Sequence, residues 1–126
     1  MDKKEARERR EQIVILLYIN RMEGDFDESA YDADILRTYR DVVAHLDDID
    51  KVIEKNLVNW TIDRLNYVDL SIIRYAVYEM KYAKLPYEIA INEALELTKK
   101  LSNLDDDLAK GFNNRLLDNI KKDLYR

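Results

Sequence analysis

The sequence predicts an all-α domain, and three observations carry that prediction. The 126 residues hold only two glycines and one proline, which leaves little material for turns. Charged residues make up 37% of the chain and alternate with apolar ones at helical spacing. No stretch sustains the period-two alternation of a half-buried strand. The length suits one domain, residues 1–126, built around one core. Six to seven helices are expected, and six can be placed.

The first covers residues 3–22, with a charged first half and an apolar run from Ile13 to Ile19 that is expected to be buried. That run is too short to span a bilayer and has no small-residue cleavage site after it, so no membrane segment is expected. Gly24, Asp25, Asp27 and Ser29 mark a loop. The second helix runs from about Asp32 to Leu46, because Ile35, Leu36, Tyr39, Val42, Val43 and Leu46 form one stripe. The third covers about Asp48 to Val58, with Ile49, Val52, Ile53 and Leu57 inward and Asp47 or Asp48 as N-cap. Residues 59–68 read as a corner with a short helical turn and Trp60 as a plug in the core.

The fourth helix spans about Asp69 to Ala83, with Ile72, Ile73, Ala76, Val77 and Met80 inward. Asp69 suits its positive N-terminal end. Pro86 marks the start of the fifth, since it fixes its own φ and biases Leu85 toward extended backbone. This helix ends near Leu101. Ile91, Ala94, Leu95 and Thr98 face inward, while Glu88, Glu93, Glu96, Lys99 and Lys100 supply the wet side. Residues 102–107 read as an acidic loop. The sixth helix covers about Leu108 to Leu124, with Leu108, Phe112, Leu116, Leu117 and Ile120 inward.

The chain lacks the usual equipment of an enzyme. Its one histidine, His45, has no nucleophile beside it in sequence. Ser29, Ser71 and Ser102 lack a nucleophile-elbow context, and two glycines cannot build a phosphate loop. The acidic runs Asp47-Asp48-Asp50 and Asp105-Asp106-Asp107 lack calcium-loop spacing and read as solvated faces. No cofactor, metal site or catalytic residue is expected. The absence of cysteine fits a reducing cytoplasm, the expected location.

Binding is the better-supported class. Net charge is −5, yet residues 1–22 carry +2, residues 23–58 carry −7 and the remainder zero. The N-terminal segment is therefore where an RNA backbone meets net attraction. Lys3, Arg7 and Arg10 share one face of the first helix, flanked by Lys4 and Arg9, and arginine forks hold phosphates bidentately. Glu5 and Arg9, or Arg7 and Glu11, also sit at ion-pair spacing, which is the pattern of a merely solvated helix, so both readings stand. Nine tyrosines, among them Tyr18, Tyr75, Tyr78 and Tyr82, are expected mostly at the core boundary with hydroxyls at the rim.

Several ordered motifs go further. Asn59-Trp60, Arg64-Leu65, Val68-Asp69, Ile73-Arg74, Ala76-Val77-Tyr78-Glu79-Met80 and Pro86 through Lys100, including Ala90-Ile91-Asn92-Glu93-Ala94, follow one another in a set order. Arg7, Arg10-Glu11 and Leu17-Tyr18 precede them; Phe112, Asn114 and Leu117-Asp118 follow. In these the chain resembles the NusB family of bacterial transcription antitermination factors.

The resemblance implies two helical bundles sharing a core. It implies binding of the boxA element of ribosomal RNA leaders together with NusE, a small-subunit ribosomal protein, and through them support of RNA polymerase elongation. It also implies RNA contacts from Arg7, Arg10, Tyr18, Leu101 and Phe112, to which the shared basic face adds Lys3, and partner contacts from Tyr18 and Asp69. Arg74 is either a binding arginine or one half of a buried ion pair. A helical interaction module, or a homodimer with little RNA binding of its own, is the competing reading.

The chain departs from the family pattern in places. Ala6 and Glu8 stand where arginines are common, and Leu70 where a basic residue is. The usual Lys-Phe-Val-Asn-Gly is Gly111-Phe112-Asn113-Asn114-Arg115, and the loop before it carries three aspartates. Fewer cations and more carboxylates weaken phosphate attraction, so weak RNA binding is expected without the partner.

Overall fold

The structure, a computed structural model, describes residues 1–102 and 106–125, with residues 106, 107 and 109 described by backbone alone. Six α-helices lie in the described residues: α1 (Lys3–Arg21), α2 (Ala33–Ala44), α3 (Leu46–Asn56), α4 (Tyr67–Lys81), α5 (Tyr87–Leu101) and α6 (Asp106–Leu124). Single 3₁₀ turns occur at Glu28–Ala30 and Ile62–Arg64. The all-α expectation therefore holds, and helix ends agree to within a few residues.

The helix ends have local causes. Asp2 caps α1 by accepting from the Glu5 N–H at 2.8 Å. At the other end Glu23 takes a left-handed φ of 57°, while the Gly24 and Glu23 N–H groups reach back to the carbonyls of Ile19 and Asn20, each at 3.0 Å. This is the Schellman closure, with the strained residue one place before the glycine. A Cβ at Gly24 would lie 3.3 Å from Ile19 Cγ2, a tight contact that the Ile19 side chain would have to relieve by a few tenths of an ångström. Asn66 caps α4 by accepting from Val68 N–H at 2.8 Å and Asp69 N–H at 3.4 Å. The sequence-based cap of α3 needs correcting. His45 occupies the cap position, and Asp47 and Asp48 lie in the first turn, where they face the helix's positive end.

α4 organises the rest. Every residue from Leu70 to Met80 is buried, so this helix is enclosed on all sides. α1 and α3 pack on it, with α2 bridging them, and α5 and α6 also pack on it. Two helical groups thus share one central element. α1 runs antiparallel to α4, since Arg10 meets Glu79 while Arg21 meets Tyr67. The core is continuous through Ile13, Leu16, Leu17, Ile49, Ile53, Ile72, Ile73, Val77, Met80, Leu117 and Ile120.

An enclosed helix cannot leave polar groups unpaired, because burial without a hydrogen bond costs free energy. Arg74 meets this condition through a fork on Asp50 of α3, Nε–Oδ1 2.9 Å and Nη2–Oδ2 2.8 Å. The buried-pair alternative for Arg74 is thereby realised. Glu79 receives Arg10, the Tyr78 hydroxyl donates to Asp41 at 2.5 Å, and the Ser71 hydroxyl donates to the Tyr67 carbonyl at 2.7 Å. Tyr75, Tyr78 and Tyr82 stack in succession, their rings 5.8 Å apart.

Several inward and outward assignments are overturned. Glu93, expected on the wet side of α5, is buried; the inward residues there are Ala90, Ala94, Leu97 and Thr98, with Ile91 and Leu95 half-buried. Leu108 is 71% exposed rather than inward. Trp60 does not plug the core: it is 40% exposed, and Arg64 covers its ring. α3 ends at Asn56, and Val58 lies beyond it, 74% exposed.

One polar tie joins three helices. Asn113 of α6 is completely buried; its amide donates to Thr98 Oγ1 of α5 at 3.1 Å and to Asp69 Oδ1 of α4 at 3.3 Å. Its side-chain oxygen Oδ1 has no partner among the described residues. Burial pushes the Asp69 carboxyl above the ordinary aspartate range, and the Asn113 bond offsets only part of that.

Two outcomes are expected. Arg74→Ala would strand Asp50 and should cost about 3 kcal/mol in urea unfolding; a loss below about 1 kcal/mol would show that the fork contributes little. Asp69 favours the fold when protonated. Its contribution is full below the ordinary aspartate range and is lost as pH rises through the raised folded value. Asp69→Asn should therefore gain stability relative to the parent chain between acid and neutral pH. A difference independent of pH would contradict this.

Candidate nucleic-acid interface

The basic first helix brings its cations into two different situations. Arg10 is nearly enclosed, its side chain 12% exposed, and forks onto Glu79 with both bonds at 2.9 Å. Arg7 is more open, at 41%, and its Nε reaches both Glu93 oxygens at 3.0 and 3.2 Å. Arg9 turns to the other side, to Asp34 and Thr38, each at 2.6 Å. The partners thus come from α4, α5 and α2, rather than from the expected neighbours Glu5 and Glu11 within α1. Glu11 instead accepts from Lys100 at 2.7 Å.

α1 and α5 leave a groove between them of about 210 Å³, with Arg7, Arg10 and Lys100 balanced by Glu11, Glu93 and Glu96. Its interior carries no net charge. The open rim differs: Lys3, Lys4, Arg7 and Lys100 stand there against Glu8, Glu11 and the Glu93 that holds Arg7, leaving +1, carried by Lys3 and Lys4. A polyanion therefore meets net attraction at the rim, where cations keep access to water and phosphate. Lys4 and Lys100 belong to this rim although the sequence did not single them out as contacts. The lysine pair at the end of α5 was the available signal, and only the α1–α5 pairing gives it meaning.

The other expected contact residues divide by position. Tyr18 is half-buried and eleven residues after Arg7, on the same face of α1 and about 16 Å along it. One turn on, Arg21 lies 4.5 Å over the ring of Tyr67, at the start of α4. Asp69 is in that helix's first turn, so Tyr18 and Asp69 share one end of the molecule. Leu101 is half-buried at the last residue of α5. Phe112, also half-buried, joins a second cluster: its ring meets Trp60 edge-on at 6.4 Å, and the next residue is the Asn113 that holds Asp69. Asp105 lies outside the described residues.

His45 serves the α2–α3 junction. Its Nδ1 is 2.8 Å from the Asp41 carbonyl oxygen, and its ring lies against Tyr82 with centroids 4.1 Å apart. No three His, Asp or Glu side chains converge as metal ligands among the described residues. No described helix is long and apolar enough to cross a membrane.

Comparison with known proteins agrees with this arrangement. The NusB family model matches residues 3–122. The transcription antitermination protein NusB of Bacillus subtilis (strain 168) is 41% identical over 104 residues, covering 82% of this chain and 77% of that one. Its namesake in Listeria innocua is 38% identical, covering 95% and 96%. Among solved structures, T. maritima NusB superposes with a TM-score of 0.78 at 30% identity, covering 95% of this chain and 92% of that one. A protein chain from the crystal structure of a plectonemic RNA supercoil gives a TM-score of 0.77 at 26% identity, covering 94% of each. With the family model spanning nearly the whole length, and relatives this similar over most of it, the chain belongs to the NusB family.

Proposed function

We propose that this protein is a transcription antitermination factor that holds boxA-type RNA of ribosomal leaders together with NusE, and so supports elongation by RNA polymerase. The observation that carries the reading is the cationic rim of Lys3, Lys4, Arg7 and Lys100 on a chain of this family. Phosphates of a single strand take their place along that rim, with Tyr18, Leu101 and Phe112 farther along the path. NusE takes the end where Tyr18 and Asp69 lie.

The geometry favours modest RNA affinity for the isolated protein. Arg7 already has Glu93, so an incoming phosphate must share or displace that carboxylate. Arg10 is committed to Glu79 and acts chiefly by holding α1 on α4. The partner then supplies part of the binding surface. The enclosed Arg10–Glu79 pair is also what a helical interaction module would need, and that remains the competing reading.

Anisotropy titrations of a boxA-like RNA, with and without NusE, at two salt concentrations separate the two. Arg7→Gln should weaken binding several-fold and reduce the log–log salt slope by about 0.7, the share of one single-strand phosphate contact. Unchanged binding by the complex would favour the interaction module. Glu93→Gln keeps the shape of the site while removing the competing charge, and should raise affinity and steepen the salt slope. A fall in affinity would mean that Glu93 orients Arg7 rather than masks it. Arg10→Ala should act differently, lowering stability by about 3 kcal/mol because it strands an enclosed carboxylate.

A further inference from the structure

The described arginines fall into two sets. Arg7, Arg9, Arg10, Arg37, Arg40 and Arg74 each hold a carboxylate. Among the described residues Arg21, Arg64 and Arg115 form no ion pair, and two of these lie over aromatic rings. Arg64 and Arg115 are connected through Trp60 and Phe112. The Arg64 guanidinium lies 4.0 Å above the Trp60 ring, and Trp60 meets Phe112 edge-on. On α6, Phe112 and Arg115 follow each other at helical spacing. They line an open groove of about 250 Å³ with Val58, Leu116 and Asn119 against the end of α3.

We propose that this surface is a second stretch of the RNA track, binding single-stranded nucleotides that flank the element held at the α1–α5 rim. The inference rests on the RNA-binding reading above. Its chemistry is that of single-strand recognition: flat π-faces for bases and cations for the backbone between them. The outer face of a guanidinium stacked on an indole is itself a plane on which a base can lie. The groove beside Phe112 offers apolar wall from Val58 and Leu116, and Arg115 stands at its edge for a phosphate. A purely apolar peptide would bury Arg64 and Arg115 with no counter-charge, which is costly; a nucleotide strand supplies that charge at each step. Phe112 provides continuity, because it belongs both to this surface and to the residues expected along the RNA path.

Trp60 is the single tryptophan of the chain, so its emission, read as the difference from NusE and RNA without this chain, reports on this surface. The test uses the full chain with NusE and three RNAs: a boxA-length strand, and the same strand extended at its 5′ or 3′ end. One extended RNA is expected to quench Trp60 emission saturably and to bind several-fold more tightly than the short strand. Arg64→Gln and Arg115→Gln should each remove most of that gain and lower the salt slope by about 0.7, while leaving the short strand's affinity unchanged. Trp60→Phe should keep the gain and Trp60→Leu lose it. Should the leucine variant fail to fold, the two surface arginines decide the matter. If the extended RNAs bind no better than the short one and leave the emission unchanged, the second stretch does not exist although the α1–α5 reading stands. Quenching by NusE alone would make the surface a protein contact and overturn the proposal. If no RNA binds with the partner present, the RNA reading falls and this inference with it.

Discussion

The enclosure of α4 is the constraint on which the rest depends. A helix covered on all sides must find a partner for each polar side chain it carries, and its long charged and phenolic ones find theirs on neighbouring helices. Arg74 draws in Asp50 of α3, Tyr78 draws in Asp41 of α2, and Glu79 draws in Arg10 of α1. These contacts do more than satisfy groups. The two arginine forks, on Asp50 and Glu79, also restrict the rotation of α3 and α1 about their own axes, because a pair of parallel bonds tolerates little twist. Apolar packing alone would permit α1 to roll.

The functional surface follows from that rotation. With Arg10 turned inward onto Glu79, Arg7 is placed at the seam with α5, and Lys3 and Lys4 are left at the open end. The same residues thus serve adhesion and attraction, in a gradient along α1. Near the core, carboxylates cancel the cations and hold the helices together; at the rim, cations exceed carboxylates and face solvent. An electrostatic site built this way is strongly screened by salt. On the proposed RNA reading, selectivity would come from the aromatic and partner surfaces beyond it.

Much of this was legible in the sequence, and the failures have physical causes. Helix placement succeeded because apolar spacing reports the local backbone period. Burial of charge did not, because it depends on which helix arrives opposite. Glu93 reads as a solvated residue until Arg7 of α1, eighty-six residues away, is set against it. The same holds for Asn113, which is polar in composition but seated between Asp69 and Thr98. Trp60 fails in the opposite sense. Its size argues for burial, yet Arg64 covers one face and allows the ring to remain at the surface. The α3 cap was misassigned because two aspartates after His45 suit either the cap or the first turn, and only backbone geometry separates them.

The residues around Phe112 show how the charge pattern has been redistributed. The NusB-like pattern carries a lysine immediately before this phenylalanine and a glycine three residues after it; here the two are Gly111 and Arg115. Packing does not require the glycine, since a Cβ at position 111 would meet nothing within 4 Å. The exchange moves a cation by one helical turn, about 6 Å along α6. It also changes the surroundings of that charge. Position 111 follows Asp105-Asp106-Asp107 by four residues in the sequence. Arg115 faces the groove of Val58 and Phe112, where among the described residues it forms no ion pair. On the proposed RNA reading, Arg115 supplies a cation for a polyanion on the groove side of Phe112. The surface that results extends toward Trp60 and Arg64.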